Sequence, residues 1–329
     1  MRTEKIIIFL VISLAISYIT CFMFGVSYAC WGGRPLAMGG AFTGVADNVD
    51  AVYWNPAGLA QLQNFAVNST SVSNWHDSNY DIYLAAAGPL KYGGFGFAYV
   101  YNKDHLMRLY LDSGGNFGWF CQDWNYFQLG YGIYLSKRWN LAFGAIGKLI
   151  YSKFEIDKDH EAKYGGDEKI NDDTLYDLDL GIHGAFGPDV GEHKMFSVGC
   201  LFQDIFESEF NFVIDDEKFV RKYVFNIRPG LAFRPDEMSI ISLEIYDAAT
   251  QFFDQPQIRI GMEKWFNFRR QRRKISLRAG GYHINEKDMR AYTAGFSWRF
   301  KSGAELGYTI MYWDNYGEET HLLTLNSGF

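Results

Sequence analysis

The feature that most constrains this chain is a two-residue alternation that keeps returning. In YGGFGFAYVY, Phe95, Phe97, Tyr99 and Tyr101 fall on one face, and Gly94, Gly96 and Ala98 fall on the other. In LYDLDLGIHGAF, Tyr176, Leu178, Leu180 and Ile182 oppose Asp177, Asp179, Gly181 and His183. Near the end, Tyr292, Ala294, Phe296, Trp298 and Phe300 oppose Thr293, Gly295, Ser297 and Arg299. Side chains alternate across a strand, so each run has one greasy face and one polar or small face. Fourteen such runs follow residue 64, from 65–74 to 320–329, and most are near the 9–11 residues that cross a bilayer as a tilted strand. An aromatic share of 18% and 34 glycines agree with an all-β chain.

A soluble sandwich also has one apolar face per strand. Three features favour a membrane barrel instead. Connections after even-numbered runs are short (GPLK, SKR, GPDVGEH, RPDE, NFRRQRR, KS), whereas residues 102–125, 152–173 and 204–221 read as long loops. Short turns at one end and long loops at the other are the layout of a bacterial outer-membrane barrel. The polar faces carry Lys148, Arg228, Arg259, Arg278 and Arg299, matched in number by Asp177, Asp179, Glu244, Glu263 and Glu305. A barrel interior tolerates such a network and a sandwich core excludes it. The chain ends HLLTLNSGF, with Leu323, Leu325 and Phe329 on one face, as in the terminal strand that outer-membrane assembly reads.

The N-terminus reads as an export signal. Arg2 and Lys5 precede a long apolar run, and Ser27–Ala29 offers small residues for cleavage, so residues 1–29 are expected to be removed. An uncleaved anchor is one alternative. Lipidation of Cys30 is another, because VSYAC resembles a loose lipoprotein cleavage box with Ser27 where Leu is expected. Cys30, Cys121 and Cys200 make no disulfide framework. A net charge of −7 without a basic stripe argues against nucleic acid.

Barrel size then gives residues 30–64 a role. Eight strands fill their own interior and 16–18 leave an aqueous channel. Fourteen lie between, and the bore of the 65–329 barrel needs a stopper. MGGAFTGVADNVDAVY is rich in small residues and suits short packed helices. Asn55 caps or bonds a hatch helix and Pro56 fixes its turn, while Gly58 permits a positive φ. Gly39 and Gly40 let the backbone pass close to the wall, and Arg34, Asp47 and Asp50 can bond to wall charges. The expected gate is Arg34, Gly39, Gly40, Phe42, Asp47, Asp50, Asn55, Pro56, Ala57 and Gly58.

Residues 32–60, GGRPLAMGGAFTGVADNVDAVYWNPAGLA, resemble the N-terminal signature of the FadL/TodX-type outer-membrane transporters and their short PorV/PorQ-like relatives. The rest of the chain resembles that family in architecture. The resemblance implies that Asn55-Pro56-Ala57 lies in a hatch plugging the periplasmic side. It implies hydrophobic ligands that bind above the hatch and pass by its shift or through a wall opening. The expected function is therefore passive transport of hydrophobic small molecules such as fatty acids across the outer membrane. The alternative is a PorV/PorQ-like barrel that docks or shuttles secreted proteins in type IX secretion. The expected partners are outer-membrane lipid and a hydrophobic ligand, with secreted proteins under the alternative. Leu106, Met107, Leu109, Leu111, Phe117, Trp119 and Phe120 in the long connection 102–125 are the candidate ligand groove. An enzyme is not expected. The seven histidines are scattered, and only His183 falls beside carboxylates, Asp177 and Asp179. Neither a cofactor nor a metal is expected, because no Cys/His spacing suits zinc.

Overall fold

The computed structural model describes residues 31–74, 80–109, 118–156, 173–214, 217–251, 255–268, 273–284, 289–314 and 318–328. The expected signal segment, Cys30 and Phe329 lie outside them. Sixteen strands follow a short helical segment: β1 Ala66–Asn74, β2 Tyr80–Leu90, β3 Gly93–Leu109, β4 Gly118–Ser136, β5 Leu141–Ile156, β6 Asp173–Val190, β7 His193–Gln203, β8 Glu209–Ile214, β9 Glu217–Lys222, β10 Asn226–Asp236, β11 Ser239–Tyr246, β12 Gln257–Phe268, β13 Arg273–Ile284, β14 Met289–Arg299, β15 Ala304–Trp313 and β16 Glu318–Gly328. Fourteen of them close into an antiparallel barrel, and β8–β9 form a separate hairpin because β10 pairs directly with β7. Closure runs through β1 and β16, in register from Ala66 opposite Gly328 to Asn74 opposite Thr320. Among the described residues no strand edge is left unpaired around the cylinder, which is the condition for crossing lipid with strands.

The alternation decides which way each side chain points. Asp177, Asp179 and His183 are buried inward, whereas Tyr176 and Ile182 are exposed on the outside. Ser297 and Thr293 point in, and Tyr292, Phe296 and Trp298 point out. In β12 the outward row is Ile258, Ile260 and Met262, each about half exposed. It ends at Lys264, which pairs with Asp236 at 2.9 Å. Aromatic residues crowd the short-turn end: Tyr92 lies under the Lys91 ammonium, and Trp139 under the Arg138 guanidinium at 5.4 Å. An apolar band edged by aromatics and cations is the surface that a bilayer requires.

The long connections differ from the loops expected of them. β3 continues to Leu109 and β4 starts at Gly118, still paired from Leu109–Gly118 down to Lys103–Asp123. β5 and β6 likewise reach Ile156 and Asp173. Residues 204–221, expected as a loop, hold β8 and most of β9, so the strand expected at 222–233 begins at Asn226. The physical reason is shared. Above the lipid both faces of a strand meet water, so the apolar alternation fades while backbone pairing continues. Phe210 in β8 is fully buried and packs edge-on against Trp124, on the inward face of β4, with ring centroids 5.2 Å apart. The hairpin thus reaches the inside of the barrel mouth.

Replacing Ile260 by Lys places a charge in the middle of the outward row. The folding free energy in lipid vesicles, read by urea titration, should fall by about 2–4 kcal/mol. An unchanged value would mean that this face does not meet lipid.

Candidate functional site

Residues 33–61 form a compact hatch inside the barrel. It consists of a helix at Gly33–Ala37, tight turns at 38–45, a helix at Ala51–Trp54 and a 3-10 helix at Pro56–Gln61. Ala37, Met38, Phe42, Val45, Val49, Val52 and Leu59 are fully buried. Asn55 organises the second half. Its Oδ1 accepts the Ala57 amide at 3.1 Å and so caps the 3-10 helix, whose first residue is Pro56. Its Nδ2 donates to the Thr43 carbonyl and to the Ile182 carbonyl of β6, each at 3.0 Å. One side chain therefore ties two parts of the hatch to the wall.

Charge supplies the other ties. Arg34 bonds Asp47 at 2.5 Å within the hatch and Glu263 of β12 at 2.8 Å. Asp47 in turn accepts from Arg234 of β10 at 3.1 Å. Glu244 of β11 accepts the Phe42 and Thr43 amides, both at 2.9 Å, and pairs with Arg228 at 2.7 Å. Arg228 also lies over the Trp54 ring at 4.8 Å. Asp50 accepts from Asn48 at 2.9 Å and from Asn68 of β1 at 2.8 Å. His183, the histidine placed beside carboxylates by the sequence pattern, contacts the Gly44 carbonyl of the hatch through Nε2 at 3.2 Å.

Close approach is made possible by glycine rows on the wall. Gly94, Gly132, Gly144 and Gly181 are register partners across β3–β6. Gly199 pairs with Gly230, and Gly261 pairs with Gly280. A Cβ on any of these eight would overlap hatch atoms, among them the carbonyls of Pro56, Leu59, Thr43 and Met38. Gly39 has φ +62° and lies against Gly281 and Ile260 backbone, so it needs glycine on both counts. Gly40, at φ +71°, packs beside Arg259. Gly58 corrects an expectation: it is not among the residues of positive φ, and glycine is needed there because a Cβ would strike the Ala46 carbonyl.

Every expected gate residue is thus inside the barrel, in or beside a wall contact. The pattern did not reveal Thr43, Asn68 or Arg234. Arg234 precedes Pro235-Asp236 and reads as a turn residue, yet β10 runs through it and turns its guanidinium inward. Of the candidate groove, Leu111 and Phe117 lie outside the described residues. Leu106, Met107, Leu109, Trp119 and Phe120 belong to the β3 and β4 extensions, rather than to a loop.

Burial and neighbouring charge set the hatch carboxyls apart. Burial pushes Asp47 up, but the Arg34 and Arg234 guanidiniums outweigh it and hold Asp47 well below the usual carboxylate range. Burial dominates at Asp50, which is pushed up to about 6 despite its hydrogen bond from Asn48.

A closed barrel with an apolar outer band and its own N-terminal segment seated inside defines a plugged transmembrane β-barrel of the outer-membrane type. No family model matches the chain, and no curated protein matches it in sequence. Solved structures do. The chain is similar to the P. putida toluene transporter TodX, with a TM-score of 0.62 at 11% identity, over 91% of this chain and 98% of that one. It is similar to the CymD monoaromatic hydrocarbon channel, with a TM-score of 0.60 at 9% identity, over 91% and 97%. A Pseudomonas aeruginosa FadL homologue gives 0.56 at 9% identity, over 92% and 98%. The fold is that of FadL-type bacterial outer-membrane channels.

Asp50 gives a pH signature. Its folded pKa of about 6 lies above the ordinary 3.8, so the folded state holds this proton more tightly than the unfolded state. Stability gained through this group therefore grows as pH falls through 6. Between pH 7.5 and pH 5 the gain is about 1 kcal/mol, or about 2–4 °C in Tm. The Tm of wild type relative to Asp50→Asn in mild detergent should rise by that amount over this interval. A difference that stays constant with pH would contradict the assignment.

Proposed function

We propose that this protein is an outer-membrane channel for the passive passage of hydrophobic small molecules, with residues 30–64 as its gate. The observation that carries the reading is the seated hatch. It fills the bore and is held by bonds to Glu244, Glu263, Arg234 and the Ile182 carbonyl. A bore filled in this way suits cargo that needs no continuous water column. The lumen beyond the hatch also supports apolar cargo. Trp31 stacks on Tyr53 at 4.5 Å and meets Tyr126 edge-on at 5.0 Å, and Trp124, Tyr223 and Phe210 continue the cluster. The names of the similar structures, a toluene transporter and a monoaromatic hydrocarbon channel, support the same cargo class.

In this reading residues 1–29 direct export, the short turns face the periplasm, and cargo passes when the hatch shifts. Aromatic hydrocarbons and fatty acids are the two classes to test. Cells that express the protein should take up labelled toluene or a labelled long-chain fatty acid faster than cells without it. Uptake at background for both would favour a docking role for secreted proteins. In planar bilayers, deleting residues 31–60 while keeping the barrel should raise single-channel conductance sharply. Unchanged conductance would show that this segment does not close the bore.

A further inference from the structure

Gly147 is a wall glycine with no hatch atom to accommodate. It lies on β5 and points outward, toward lipid, and a Cβ built there meets nothing within 4 Å. Its register partners are Leu129 of β4 and Leu178 of β6, and Leu129 is paired in turn with Phe97 of β3. The row Phe97–Leu129–Gly147–Leu178 is therefore a band of large apolar side chains with one gap. A cavity of about 420 Å³ opens at that gap, and Phe127 and Tyr176 line it from the next outward row. That volume lies within the range of small-molecule sites.

The far wall of the cavity is Phe206, which is 62% exposed and belongs to no barrel strand. The turn that carries it is built onto β6. The Ile205 amide donates to the Leu178 carbonyl at 3.0 Å, the Phe206 amide to Asp177 Oδ1 at 3.1 Å and the Ser208 hydroxyl to the Tyr176 carbonyl at 2.6 Å. Asp204 and Glu207 flank the turn in the left-handed region, at φ 56° and 49°. Non-glycine residues reach that region at a cost, so the turn holds a phenylalanine in this place against local preference.

We propose that this groove binds an acyl chain of an outer-leaflet lipid. Its position selects that occupant. The groove is continuous with the lipid-facing band and bounded by exposed Leu129, Phe97, Phe127 and Tyr176. Tyr99, level with Phe127, donates upward to Asn125 at 2.8 Å, and Tyr101, on the next outward row, donates to Asp123 at 3.2 Å. This polar edge toward the long-connection end marks the head-group boundary, and the cavity sits immediately on its hydrocarbon side. A chain lying there replaces the packing that the missing side chain of residue 147 would provide, and buries Phe206. The site is on the outer surface and is independent of what the bore conducts.

The test uses a phosphatidylethanolamine with a photoreactive diazirine in its acyl chain, diluted into phosphatidylcholine vesicles holding the full barrel. In wild type, adducts should concentrate on peptides containing Leu178 and Phe206, above the level around Ile258 and Met262. Gly147→Leu puts side-chain bulk into the gap from a Cβ that meets nothing within 4 Å, and should lower the Leu178 and Phe206 adducts several-fold, leaving the Ile258–Met262 adducts unchanged. Phe206→Ala, outside the barrel ladder, should lower the Leu178 adducts as well and serves if Gly147→Leu does not assemble. Adducts spread evenly around the barrel, or unaffected by both substitutions, would overturn the proposal. So would unchanged labelling with a loss of toluene or fatty-acid uptake in Gly147→Leu, which would assign the groove to the transported molecule.

Discussion

The structure depends on how charges buried inside a closed barrel are paired. A charge taken out of water must meet a partner, and removing one partner of a buried pair costs about 3–5 kcal/mol. Here the wall supplies some partners and the hatch supplies the rest. Glu263 has Arg278 on the wall at 2.6 Å and Arg34 in the hatch. Glu244 has Arg228 on the wall and two hatch amides. Each of these acids keeps a wall partner when the hatch is imagined displaced. The hatch is thus specified in position by directional bonds, while its departure leaves neither acid unpaired. This combination suits a gate better than a permanent core, in which apolar packing alone would be more stable.

Shape does the complementary part. The glycine rows form shallow channels in the wall into which hatch backbone settles, and the hatch has its own glycines where it turns against that wall. Toward the long-connection end the β8–β9 hairpin brings Phe210 to Trp124 on the inward face of β4. The hydroxyls of Tyr126 and Tyr223 meet at 2.7 Å between the hatch aromatics and the hairpin. The hatch and the hairpin therefore share one aromatic cluster.

Much of this was legible in the sequence because lipid imposes a strict rule. Where one face of a strand meets hydrocarbon, residues such as Phe97 and Ile182 must alternate with small or polar ones, and strand positions follow. That rule lapses above the membrane, and residues such as Arg108 and Trp119 paired where a loop was expected. The hatch segment was legible for a different reason. Asn-Pro turns and paired glycines demand specific local geometry, and Asn55, Pro56, Gly39 and Gly40 all adopt it or lie in it. Contacts such as Asn68 with Asp50, or Arg234 with Asp47, join residues far apart in sequence, and alternation alone does not say which inward residue meets which hatch atom. The wall glycines carried an available signal: they fall on inward faces where a large barrel would otherwise place bulk.

The central claim is that residues 33–61 are seated inside the barrel by bonds to its wall. Hydrogen exchange in lipid nanodiscs tests it directly. The amides of Phe42 and Thr43, which reach Glu244, and of Ala57, which Asn55 caps, should exchange as slowly as the amides of the barrel strands. Exchange of these amides at the rate of an exposed loop would place the segment outside the barrel and contradict the account.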